Sequence, residues 1–151
     1  MDHTASACPS LINEHFSTRP HCLEINNLVL RLVKKESFKT IYLHSNWRYY
    51  DISQIRSVLI TIEKLLLINP SIQIKVVGRD PQWQPSLPES LLRNGITSFD
   101  ISSDYVMEND EFSKVEARDN EIIDLLKIHK NKENIAFISL LDKFCQNEKC
   151  I

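Results

Sequence analysis

Hydrophobic residues recur at helical spacing in four stretches of the chain. Residues three and four positions apart share one face of a helix, so each stretch predicts an amphipathic helix with one apolar side. The predicted helices run from Cys22 to Glu36, from Asp51 or Ser53 to just before Pro70, over a short stretch from about Pro88, and from about Asn109 to Lys130. Residues 1–21 lack this pattern and are predicted to form a loop.

Three short apolar runs between these helices are typical of buried strands. They cover residues 40–43, 72–77 and 134–139, while residues 96–108 fit either one short strand or an irregular loop. Alternating helices and strands are the pattern of parallel βαβ units. We therefore predict one α/β domain over residues 1–151, a three-layer α/β/α sandwich around a parallel sheet. Three strands are few for such a sheet, which predicts that the sheet is incomplete.

Composition excludes several classes of protein. Of the 151 residues, 42% are hydrophobic and 25% are charged, which is typical of a folded globular protein. The formal net charge of -2 gives no electrostatic reason to expect a nucleic-acid partner. No apolar run is long enough for a membrane helix, and the N-terminus has no signal-peptide pattern. The chain as it stands is therefore expected to remain in the cytoplasm.

Only two glycines occur, Gly78 and Gly95. A dinucleotide-binding fingerprint and a phosphate-binding P-loop each need several glycines, so both are excluded. We expect no cofactor and no metal site, because the spacing of the cysteines and histidines matches no zinc ligand set.

Polar and aromatic residues follow the first predicted strand, at the end of an open α/β sheet where ligands bind. Asn46 is either an oxyanion donor in this position or a residue that turns the chain. His44, Trp47 and Tyr50 lie beside it, and Trp83 follows the second strand. These aromatic side chains are candidates to line one substrate crevice for a glycan or an acyl group. No serine lies in the G-x-S-x-G context of an exposed nucleophile.

The four cysteines form two local pairs, Cys8 with Cys22 and Cys145 with Cys150. An even number of cysteines at short range fits two disulfides, which form in oxidising compartments. Four buried thiols are the main alternative, and a metal site is the least favoured one.

Five motifs occur in an order that resembles a known family. They are T-A-S-A-C-P at residues 4–9, R-P-H-C-L-E-I-N at 19–26, L-H-S-N-W at 43–47, V-V-G-R-D-P-Q-W-Q-P-S-L-P at 76–88 and S-L-L-D-K-F-C at 139–145. This order resembles the SGNH-type domain fused to integral-membrane acyltransferases of family three. Those bacterial enzymes O-acylate, and typically O-acetylate, cell-surface polysaccharides.

The resemblance implies a flavodoxin-like SGNH-hydrolase fold and an extracytoplasmic, periplasmic setting for the family domain. It also implies that Asn46 is the oxyanion-hole asparagine and that Cys8–Cys22 and Cys145–Cys150 are local disulfides. The family's G-D-S-H nucleophile block and its Asp-x-x-His block have no counterpart here. The chain is therefore expected to be an internal part of such a domain, inactive as an acyltransferase or esterase alone. The alternative is a non-catalytic module that binds a glycan or docks onto a partner.

Overall fold

The computed structural model describes residues 8–12, 14, 16, 19–81, 86–93, 109–129, 133–146 and 149–150. The helices are α1 (Cys22–Lys35), α2 (Ile52–Ile68), α3 (Leu87–Arg93), α4 (Asn109–Leu126) and α5 (Leu141–Phe144). The strands are β1 (Thr40–His44), β2 (Gln73–Val77), β3 (Ile135–Ile138), β4 (Cys145–Gln146) and β5 (Lys149–Cys150). Two 3₁₀ turns, Trp47–Tyr49 and Lys127–His129, follow β1 and α4.

The boundaries of α2 show why the predicted elements form. Its first turn is closed by a capping box, in which Asp51 Oδ1 accepts from the Gln54 backbone N–H at 2.9 Å and Gln54 Oε1 accepts from the Asp51 N–H at 3.1 Å. This arrangement satisfies two amide groups that have no partner within the helix. The helix ends at Ile68, before Pro70, because a residue that precedes proline disfavours helical backbone angles.

The central sheet is parallel, with strand order β1-β2-β3. Its register places apolar residues of neighbouring strands side by side on one face, as in the pairs Leu43–Val76 and Val76–Phe137. Helices α1, α2 and α4 contribute to the one large hydrophobic core that covers this face. The opposite face is less covered, since Tyr42 is 64% exposed. The predicted α/β class with a parallel sheet is confirmed.

Helix α1 is the least buried of these three helices. The helical spacing that predicts α1 places Leu28 on its apolar face, but this side chain is 42% exposed, whereas Val33 on the same face is buried. The apolar face of α1 does not pack flat against the sheet. A groove of about 360 Å³ lies between α1, the outer edge of β1 and Leu65 of α2.

The segment 8–12 crosses from α1 to the carboxyl end of β1. The side-chain amide of Asn26 donates to the backbone oxygens of Pro9 and Leu11, at 3.0 and 2.9 Å. The Ile12 N–H donates to Thr61 Oγ1 at 3.0 Å, and Leu11 is completely buried. These bonds give an irregular segment the partners that a buried backbone requires.

Two disulfides are present, Cys8–Cys22 and Cys145–Cys150. The first ties segment 8–12 to the start of α1, and the second joins the antiparallel strands β4 and β5. Both pairings that the family resemblance implied are therefore found. None of the helices in the described ranges is long and apolar enough to span a membrane.

We expect the Cys8–Cys22 disulfide to stabilise the domain more than the Cys145–Cys150 disulfide does. The sequence separations are 14 and 5 residues, and a cross-link that closes a longer loop removes more entropy from the unfolded chain. Replacing both cysteines of a pair with serine should lower the free energy of unfolding by about 3 kcal/mol for the first pair and about 2 kcal/mol for the second. Urea unfolding of the two double variants measures this difference, and equal or reversed losses would contradict it.

Candidate active site

Three strand ends meet at the carboxyl edge of the sheet, the position where open α/β sheets bind ligands. Ser45 and Asn46 follow β1, Gly78 and Arg79 follow β2, and Ser139 follows β3. The Gly78 N–H donates to the backbone oxygen of Ile138 at 2.8 Å, which extends the sheet pairing to its last residue. The residues that follow β2 and β3 are therefore held close together by backbone hydrogen bonding.

Trp47 fastens the end of β1 to the end of β2. Its indole Nε1 donates to the backbone oxygen of Val77 at 2.8 Å, and its side chain is completely buried. The prediction that Trp47 lines a substrate crevice is thus corrected, because the ring lies in the core. An indole is buried readily where its N–H finds an acceptor, and the carbonyl of Val77 supplies one.

Asn46 lies directly before this anchor and opens the 3₁₀ turn. Its side chain makes no capping bond to the turn, and its Oδ1 is buried without a hydrogen-bond partner among the described residues. The amide is therefore not used to cap the turn, although Asn46 lies at its start, as expected of a residue that turns the chain. Whether it stabilises an oxyanion stays a prediction.

The other predicted crevice residues have different surroundings. His44 is exposed, and its backbone oxygen accepts from Ser10 Oγ at 3.3 Å. The half-buried ring of Tyr50 packs edge-on against Phe16, with 5.6 Å between the ring centroids. Burial raises the pKa of the Tyr50 phenol, and the charge of Arg19 partly offsets that rise. Trp83 lies outside the described residues.

A buried carboxylate, Asp119 of α4, was not predicted from the sequence. It is 4% exposed, and its Oδ2 accepts from Ser139 Oγ at 3.0 Å. The backbone N–H of Arg79 also donates to this carboxylate. The carboxylate lies so close to Gly78 that a Cβ there would be 2.7 Å from both of its oxygens. Gly78 is thus required for its small size, since any side chain would collide with Asp119 and with Phe137.

Burial raises the pKa of Asp119 to about 6. Desolvation is the largest cause, and the nearby Asp142 carboxylate adds to it, while the bonds from Ser139 and from the Arg79 N–H act in the opposite direction. Asp119 occupies an inward position on α4, between Val115 and Ile122, where an apolar side chain would continue the stripe. That interruption is the sequence signal that could have identified it.

Acyl-transfer chemistry requires a nucleophile beside its base. Ser45 directly precedes Asn46, and its Oγ accepts from the Ser10 N–H at 3.0 Å, while Ser10 Oγ donates to the backbone oxygen of His44 at 3.3 Å. Neither of these two hydroxyls is bonded to a histidine side chain of the described residues. The same residues contain no cluster of three or more acidic, histidine or cysteine side chains that could hold a metal ion.

One family model matches the whole length of the chain. The model is that of the SGNH domain (fused to AT3 domains), and it covers residues 1–151. The chain belongs to the SGNH domain family. The membership inferred from the five motifs is therefore confirmed, although no curated protein matched the chain.

One solved structure with the same fold as this SGNH domain is the periplasmic domain of the Salmonella ser. Paratyphi A lipopolysaccharide acetyltransferase. The TM-score is 0.59 and the sequence identity is 17%. The match covers 95% of this chain and 56% of the Salmonella chain, so this SGNH domain spans little more than half the length of that structure. At this identity the likeness establishes the fold alone.

We expect the stability of this SGNH domain to fall as the pH rises from about 4 to about 6, and Asp119 to be the main cause. The folded-state pKa of Asp119 lies above its ordinary value of 3.8, so the folded protein holds this proton more tightly than the unfolded chain does. Asp119→Asn should remove this dependence and gain roughly 1–3 kcal/mol relative to wild type above pH 6.

Urea unfolding at several pH values measures this effect. Asp124→Asn is the matched control, because Asp124 is on the same helix but is exposed and paired with Lys127. Parallel pH curves for wild type and Asp119→Asn would contradict the assignment.

Proposed function

We propose that this chain supplies the oxyanion side of an SGNH-type acyl-transfer site, with the Asn46 side-chain amide as one donor. The reaction would be O-acylation, typically O-acetylation, of a cell-surface polysaccharide. The observation that carries the proposal is the position of Asn46, whose amide does not cap the turn that it opens at the carboxyl end of β1. Family membership supplies the reaction class.

The physical basis is charge stabilisation in the transition state. Attack on an acyl carbonyl places negative charge on its oxygen, and a fixed amide N–H stabilises that charge without having to reorient. The Trp47–Val77 bond fixes the backbone immediately after Asn46. The position of the donor is therefore set by the fold before substrate binds.

The nucleophile and its base are assigned in this proposal to polypeptide outside these residues. Two facts support the assignment: Ser10 and Ser45 are engaged in local hydrogen bonds, and the chain spans 56% of the related Salmonella structure. In the family the nucleophile block lies on a strand. That strand would have to pair with an edge of the sheet.

The groove along β1 fits such a strand. Within the described strands, β1 pairs only with β2, and the groove lies along its other edge. Apolar side chains line the groove, and a segment added there would bury them. They include Val29, Leu30, Val33, Ile41 and Leu65. A strand parallel to β1 would end beside Asn46, because parallel strands have their carboxyl ends at one edge.

Two further features support the polysaccharide-modifying role. The disulfides Cys8–Cys22 and Cys145–Cys150 fit an oxidising, extracytoplasmic compartment. The related Salmonella domain is described as periplasmic. A glycan-binding module built on Trp47 is less well supported, because that ring is buried and offers no face to a sugar.

The purified 151-residue chain should not hydrolyse p-nitrophenyl acetate above the rate in buffer. Without a nucleophile no acyl-enzyme can form, so the largest part of the rate enhancement is lost. The measurement is absorbance of released p-nitrophenolate from wild type and from Asn46→Ala. Turnover by wild type that Asn46→Ala abolishes would overturn the assignment of the nucleophile to another segment.

Activity should appear when the chain is combined with a second polypeptide that carries the remaining blocks of an SGNH domain. In that complex Asn46→Ala should lower ester turnover by about 10²–10³-fold, the usual effect of losing one oxyanion donor. Asn27→Ala on α1 is the matched control and should leave turnover unchanged. A complex that forms but is inactive, or one in which Asn46→Ala is fully active, would contradict the proposed function.

A further inference from the structure

The backbone of Asn46 forms a tight turn at the carboxyl end of β1. Its φ and ψ angles are -78° and 79°, and the Trp47 backbone N–H donates to the Ser45 backbone oxygen at 2.9 Å. A hydrogen bond that closes around one residue with these angles is an inverse γ-turn, which is common at strand ends. Because Asn46 is the central residue, the positions of Ser45 and Trp47 set the direction in which its side chain leaves the backbone.

Each of these two flanking residues is held by a different part of the fold. The Trp47 indole is bonded to the Val77 carbonyl of β2. On the other side, Ser45 Oγ accepts from the Ser10 N–H at 3.0 Å, and Ser45 is 7% exposed, so water has little access to replace this donor. The turn around Asn46 is therefore anchored to β2 at one end and to Ser10 at the other.

Ser10 is itself fixed, because segment 8–12 is bonded to both neighbouring helices. The disulfide at the first residue of the segment ties it to the start of α1. The Asn26 side-chain amide, one turn further along α1, donates to the backbone oxygens of the residues on each side of Ser10, at 3.0 and 2.9 Å. The bond from the Ile12 N–H to Thr61 Oγ1 joins the end of the segment to α2. The N–H of Ser10 therefore approaches β1 from a fixed position.

We infer that Ser45 is a positioning residue for Asn46, and that the bond from the Ser10 N–H to Ser45 Oγ keeps the turn closed around the asparagine. The role of Ser45 is to orient Asn46 rather than to contact the substrate. Its effect on the turn belongs to this chain alone, whereas its effect on catalysis rests on the proposed function. A donor that is held in place stabilises developing charge without reorienting, and a donor on a loose turn loses that advantage.

The mobility of the Asn46 side-chain amide is the most direct readout of this role. The ¹⁵N NMR order parameter of the amide measures it in the full 151-residue chain, and in wild type it should be near about 0.85, the value of a rigid backbone. Ser45→Ala removes the acceptor of the Ser10 N–H and should lower the order parameter to about 0.6 or less. Ser45→Thr retains an Oγ and should restore the wild-type value.

Ser139→Ala is the matched control. Ser139 also follows a strand at the carboxyl edge of the sheet, and its Oγ accepts from the Asp142 N–H at 3.2 Å. This variant loses a bond of the same kind two strands away, so the order parameter of Asn46 should not change. A mobile amide in wild type, an unchanged order parameter in Ser45→Ala, an equal loss in Ser139→Ala, or no restoration in Ser45→Thr would each overturn the inference.

The kinetic test uses the complex with the second SGNH polypeptide. Ser45→Ala should lower kcat for ester turnover about tenfold and leave KM unchanged, because substrate still binds but the donor is in position for only a fraction of the time. Ser45→Thr should be fully active. If Asn46→Ala lowers kcat and Ser45→Ala does not, the positioning role is overturned. If Asn46→Ala is itself fully active, the proposed function fails, and the order parameters still decide the role of Ser45.

Discussion

The bond from the Trp47 indole to the Val77 carbonyl determines how the carboxyl edge of the sheet is built. It joins the ends of β1 and β2 and draws the large ring of Trp47 completely into the core. Because Trp47 directly follows Asn46, burial of the ring also sets where the asparagine amide can lie. A single hydrogen bond contributes only about 1 kcal/mol, but this one is combined with burial of an entire aromatic side chain.

At the other end of the same edge lies a buried carboxylate, Asp119, whose burial is unfavourable for the charged form. Asp119 is buried against Gly78, accepts bonds from Ser139 and from the Arg79 N–H, and has its pKa raised to about 6. Buried carboxylates of this kind are concentrated at functional sites. The edge therefore has two parts: the Asn46 amide at the end of β1, and an acidic cavity two strands away.

Much of the fold follows from local patterns in the sequence. The helix α2 could be predicted at both ends because Asp51 and Pro70 are local signals, and Asn46 was a candidate because it follows a strand. The burial of Trp47 could not be predicted in this way, since its acceptor is on another strand. Asp119 was missed because a polar residue on a polar helix resembles a solvated one; its inward position between Val115 and Ile122 was the available signal, and the contact with Gly78 shows its burial. The 42% exposure of Leu28 could not be predicted either, because helical periodicity shows which residues share a face and not what covers that face.

The central claim is that the fold holds Asn46 in place before any ligand binds. Hydrogen exchange of the Trp47 indole N–H tests this claim most directly, with the second indole signal assigned through Trp83→Phe. If the anchor is permanent, the indole proton should exchange only through global unfolding, and its exchange free energy should equal the free energy of unfolding from urea titration. Exchange as fast as that of a free indole would show that the end of β1 opens locally, and would contradict a preorganised site.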